Sequence, residues 1–237
     1  MAHPQIASLK DRSRLVKTII DLTGLKSTHN DFNLAERLGS FVGVSGTMNL
    51  ARGLRHLPID SRAGVCTDEH AIRDRVLQAR STLIARIVDA FSGDDSQSSV
   101  PSEASGVRRE ALKTFTPFQR FYTAQQVEMG VAVKNTRSVL REELARLSPE
   151  LHRLSVLDAL MEESLESNAR KQFNLVPKAL ENHFYDALEA HNPEFDLDQF
   201  LPKFHLTMRE LLLAELDTRL QPVFGLLEAL NECENHD

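Results

Sequence analysis

The sequence predicts an all-α protein on three observations. Apolar residues recur at helical spacing in nearly every window, strand-like alternation of β-branched and polar residues is missing, and aromatic residues are only 6% with no Trp. Of 237 residues, 41% are hydrophobic and 26% charged, which supplies apolar material for one or two packed cores.

The elements follow in order. Leu15, Ile19 and Leu22 make a short amphipathic helix that stops at Gly24. Asn30 or Asp31 caps a second, carrying Leu34, Leu38 and Phe41 and ending at Gly43. Ser45 opens a third, with Met48, Ala51 and Leu54 on one face, which ends before Pro58. Thr67, followed by Asp68 and Glu69, caps a longer helix whose apolar side holds Ile72, Val76, Leu83, Ile87 and Phe91. Together these predict a small N-terminal helical bundle over residues 1 to 91.

Residues 92 to 106, SGDDSQSSVPSEASG, hold one Val as their single large apolar side chain and predict a mobile linker. Residues 107 to 237 then form an elongated domain. Its stripe runs Phe118, Tyr122, Gln125, Met129, Ala132, Thr136, Val139 and drifts to Leu140, Leu144 and Leu147. Ser148-Pro149 pairs an N-cap with a proline at the first helical position. The next helix carries Leu151, Leu154, Leu157, Met161 and Leu165, then Phe173, Val176, Leu180, Phe184 and Leu188, with a kink expected at Pro177. So short a turn predicts a long antiparallel hairpin. An additional C-terminal helix starts near Asp196 or Asp198 and reaches Leu230, with Pro202 in its first turn and Pro222 marking a bend or a new start.

Charge divides the hairpin. Residues 107 to 147 carry 8 basic against 4 acidic groups, and residues 148 to 200 carry 4 against 11. Exposed ion pairs contribute about 0 to 1 kcal/mol each, whereas a buried Leu, Phe or Met contributes about 1.5 to 3 kcal/mol. The apolar seam therefore holds the arms, and the opposite charges select their direction and register.

The stretches FQRFYTAQQVEMG, SPELHRLSVLDALMEESL and LLLAELDTRLQPVFGLLEAL, with RLVKTIIDL and DFNLAERLGSF nearer the start, resemble the proteobacterial family called domain of unknown function 3348. The resemblance covers most of the chain and is weakest in the 92 to 106 segment. It implies a bacterial protein of the cytosol linked to an envelope-associated system, because the family's genes often sit beside those for envelope proteins with peptidoglycan-binding or motor-stator-like features. It carries no catalytic or binding residues.

No HExxH occurs, and His183, Asp186 and His191 on the return arm are the nearest approach to a metal cluster, read as a solvated helix face. GSFVGVSGT, residues 39 to 47, lacks the Lys-Ser/Thr ending of a phosphate-binding loop and follows a helix. The helices from Leu34 to Leu54 put Asn49 and Arg52 where a packed DNA-reading helix needs apolar groups, so nucleic acid is not the expected partner. A nucleic-acid-associated regulator using these helices is the alternative reading.

Cys66 and Cys233 stand in no motif and are expected to be reduced thiols. No apolar run nears the roughly 18 residues of a membrane span, and MAHPQIASLKDRSR has no apolar signal core, so the chain is expected in the cytoplasm without direct membrane insertion.

Two groups are candidate partner-binding residues. Phe115, Phe118, Arg120, Phe121 and Tyr122 cluster around Thr116-Pro117, either as an anchor for a partner or as the packed start of a long helix. Glu162, Glu163 and Glu166 form an acidic face open to a partner, to water or to the basic arm. The expectation is a non-enzymatic helical interaction or scaffold protein without cofactor or metal, whose partner is another protein or a second copy of the chain.

Overall fold

The structure is a computed structural model that describes Arg14, Leu15, Thr18 and residues 69–92, 99–190 and 196–234. Among these residues there are helices and turns and no strand, so the chain is all-α. The helices are α1 (Glu69–Asp89), α2 (Arg109–Leu112), α3 (Thr116–Leu147), α4 (Pro149–Phe173), α5 (Leu175–Ala190) and α6 (Leu197–Glu234). Arg14, Leu15 and Thr18 are helical, whereas the second and third short helices of the expected N-terminal bundle lie outside the described residues.

Helix ends follow local chemistry. Ser148 caps α4: its Oγ accepts the Leu151 N–H at 3.1 Å, and its carbonyl accepts the His152 N–H at 2.9 Å. Pro149 takes the first helical position, where a missing N–H costs nothing. Asp196 caps α6 by accepting the Asp198 N–H on Oδ1 at 3.0 Å. The interruption expected at Pro177 falls at Asn174, three residues earlier. A proline at 177 has no N–H for the Phe173 carbonyl, and restarting the helix at Leu175 puts Pro177 in a first turn.

Pro222 behaves otherwise. Helix α6 runs continuously past it, so it marks no new start. Leu220, Val223, Leu226, Leu227 and Leu230 are all buried on either side. At about 1.5 to 3 kcal/mol each, they outweigh the roughly 3 kcal/mol cost of an interior proline.

The chain divides into two compact units. The first takes Ile84–Met129 and Asn174–Arg219 together with Arg14, Leu15 and Thr18, and the second takes Gly130–Phe173 with residues 69–83 and 220–234. In the first, Leu112, Phe115, Phe118, Tyr122, Leu180, Phe184, Phe204, Met208, Leu211 and Leu212 are buried, and Arg14 reaches Asp217 at 3.4 Å. In the second, Ile72, Val76, Leu140, Leu144, Leu151, Val223 and Leu230 are buried, Arg73 bonds Asn231 and Arg75 pairs with Glu143. Of the expected α3 stripe, Val139 departs: it is 45% exposed, while Val133 is buried.

In the first unit, the described part of the Ser-rich stretch is a folded strap. Val100 donates its N–H to the Ala90 carbonyl at 2.8 Å, and Val100 and Pro101 are buried. Ser102 and Ser105 each accept the other's N–H on Oγ, at 3.1 and 2.8 Å. Gly106 closes the turn at a φ of 78°, where a side chain is strained. Where composition predicts a linker, the serine side chains of residues 99 to 107 bond their own backbone, with Val100 buried beside them.

Candidate functional site

The aromatic candidates lie in the interior of the first unit. Phe115, Phe118, Phe121 and Tyr122 are all buried, and only Arg120 faces solvent. Phe118 packs on Phe184 and Phe204 with ring centroids 5.6 and 5.3 Å apart, and Phe121 meets Phe91 edge-on at 5.3 Å. The packed start of a long helix is thus what these rings form, because α5 and α6 bring Phe184 and Phe204 onto α3.

Beside the rings, the same unit encloses a polar group that sequence reasoning passed over. Glu215 is fully buried. Gln126 Nε2 lies 3.1 and 2.8 Å from its two carboxylate oxygens, the Arg219 guanidinium donates to Oε1 at 2.9 and 2.6 Å, and the Tyr122 hydroxyl donates to Oε2 at 3.3 Å. Burial, then the charge of Glu215, push the Tyr122 phenol well above its usual range. A signal existed: Glu215 follows the run Leu211 to Ala214 at the spacing of the buried face, and Arg219 stands one turn on.

The acidic candidates belong to the second unit, where α3 and α4 run antiparallel. Arg137 holds Asp158 with Nε to Oδ2 at 2.8 Å and Nη2 to Oδ1 at 2.6 Å; Arg141 joins Asp158 to Glu162 at 3.0 and 2.7 Å. Lys134 lies 3.6 Å from Glu166, which also accepts from Arg170 at 2.7 Å. The bond to Arg170, then the charge of Lys134, hold the Glu166 carboxyl below its usual range. Residue numbers fall on α4 as they rise on α3, the mark of an antiparallel pair. Glu162 and Glu166 therefore face the basic arm, and Glu163 is exposed.

Asp158 and Glu162 accept from guanidinium groups on the facing helix, an arrangement that fixes register, whereas Glu166 pairs with the Lys134 ammonium across the gap and with Arg170 one turn along its own helix. At the same level of the pair, Val139 and Met161 are 45% and 43% exposed, and Val131 on α3 is exposed as well.

The first unit also carries a cleft of about 290 Å³ lined by Ser102, Glu103, Asp198, Leu201, Pro202 and His205. At its rim Arg109 binds Glu103 at 2.8 Å and Asp198 at 3.0 and 2.9 Å. The bond to Arg109 holds the Asp198 carboxyl below its ordinary value.

Among the described residues no group of three His, Cys, Asp or Glu side chains is placed to hold a metal ion. His183 stacks on Phe204 at 6.3 Å, and burial pushes its imidazole down against the opposing charge of Asp186. His191, Cys66, the 39 to 47 segment and the Leu34 to Leu54 helices lie outside the described residues, as does the side chain of Cys233. No described helix is long and apolar enough to cross a membrane.

Residues 1–232 match the family described as "Protein of unknown function (DUF3348)". The chain belongs to the DUF3348 family. The match takes in both α3 and α4 and the Glu215 network. No curated protein and no solved structure matches this DUF3348 chain.

Proposed function

We propose that this protein is a non-enzymatic helical interaction protein of the bacterial cytoplasm, serving an envelope-associated system through a protein partner or a second copy of itself. The observation that carries the reading is the α3 and α4 pair of the second unit. Arg137, Arg141, Asp158 and Glu162 are committed to one another, while Val131, Val139 and Met161 face solvent. Apolar side chains on a rigid helical pair supply contact area at little ordering cost, as in recognition between amphipathic helices.

The test compares the tagged chain with a Val139→Glu, Met161→Glu double variant, both isolated from the native cells and sized by light scattering. The reading expects a reproducible protein partner, or a dimer mass, that the double variant loses while its helical circular dichroism is retained. The same associations in both chains, or a monomer without a partner in both, would overturn it.

A further inference from the structure

His205 lies beneath the strap. Its Nε2 is buried without a partner and the ring packs on Phe118 with centroids 5.9 Å apart; burial disfavours the charged ring, and the Pro101 backbone of the strap works in the opposite, weaker direction. The neutral imidazole suits this setting, because it can leave Nε2 as a bare lone pair where no acceptor is within reach. A protonated ring carries an N–H at Nε2 as well, and a charged donor buried without an acceptor is strongly unfavourable.

The charged groups around it give no relief. Glu103 comes from the strap and Asp198 from the start of α6; both are exposed and bound by Arg109 of α2. Arg209 follows His205 one turn later on α6, and α3 presents the Phe118 ring.

We propose that the strap from Ser99 to Val107 is an acid-released cover, which lifts from α6 when His205 is protonated and so makes the apolar surface of Val100, Pro101 and Leu201 available only at low pH. The release is local, because the strap's tie to α6 through Arg109 is exposed and contributes little. The direction follows from linkage. Burial lowers the His205 value below 6.5, so the closed form is fully favoured above that value and loses its advantage as pH falls through the lower one.

This inference is independent of the proposed partner-binding role. Hydrogen exchange of the full chain tests it at the Val100, Gly106 and Val107 amides, which donate to Ala90, Glu103 and Ser102. Rates are corrected for intrinsic chemistry between about pH 7.5 and pH 5. Strap protection is expected to fall about tenfold per pH unit between the free-imidazole value and the folded one, with Leu211 and Leu212 amides unchanged. His205→Gln and His205→Phe are expected to abolish the response.

A flat wild-type profile, an equal slope in the variants, or parallel loss at Leu211 and Leu212 would each overturn the proposal. Should neither variant fold, nuclear magnetic resonance titration of His205 in the unsubstituted chain decides. A midpoint below about 6.5 that coincides with strap release supports the cover, and one at or above it does not.

Discussion

Gln126 on α3 and Glu215 on α6 meet inside the first unit, the amide nitrogen within 3.1 Å of both carboxylate oxygens. With Arg219 and Tyr122 completing the set, a fully buried carboxylate has a donor at each oxygen. Taking two charges from water is expensive, and only such complete pairing offsets it.

Removing a single member should therefore be far worse than its contact suggests. Arg219→Ala is expected to destabilise the protein by about 3 to 5 kcal/mol, since it strands the Glu215 charge. Tyr122→Phe deletes one longer bond and should cost about 0.5 to 1.5 kcal/mol. Urea unfolding curves of the two variants check the order.

Alkaline pH provides an independent reading of the same network. The Tyr122 phenol is raised above 10 in the folded chain, so its contribution to stability is intact below 10 and disappears as pH rises through the folded value. In a Tyr185→Phe background, which leaves Tyr122 as the one tyrosine, ultraviolet titration should show no phenolate near pH 10 until the helical signal is lost. Ionisation at the free-tyrosine value in a folded chain would contradict the buried placement.

On the paired α3 and α4 helices, burial separates two kinds of ion pair. Arg137 and Asp158 side chains are 13% and 11% exposed and share two parallel bonds, while Lys134 and Glu166 are 60% and 41% exposed. Double-mutant cycles to Ala should give a coupling of about 1 to 3 kcal/mol for the first and below about 1 kcal/mol for the second. Arg137→Lys should recover less than half of the first coupling, because an ammonium cannot span both oxygens.

The corner between those helices rests on one side chain. Ser148→Ala removes the acceptor for the Leu151 N–H and should cost about 1 kcal/mol, whereas Ser148→Gly should cost only a few tenths. Thermal unfolding of the two variants resolves the difference.

Much of the fold was legible because helices are written locally. The Ser148-Pro149 cap, the acidic start of α6 at Asp196 and the stripe Phe118, Tyr122, Gln125, Met129 all depend on residues within a few positions of each other. The strap was not legible, since serine, glycine and proline suit a loose chain and a hydrogen-bonded turn alike; Val100 settles the matter only by finding a pocket. For the candidate residues, aromatic clustering beside a helix start reads the same whether the rings face a partner or the interior, and Phe184 and Phe204 decide it from far along the chain.

The amino-acid order by itself determined the helical class, the main helix ends and the acidic and basic character of the two arms, because periodicity, caps and charge act over a turn or two. Tertiary structure alone decided that Glu215 is sealed from water with three donors, that Glu162 and Glu166 are spent on Arg141 and Lys134, and that His205 keeps a nitrogen without a partner under Pro101. Each of those outcomes depends on which distant helix supplies the neighbouring atoms, and burial and pairing are properties of that neighbourhood rather than of the residue.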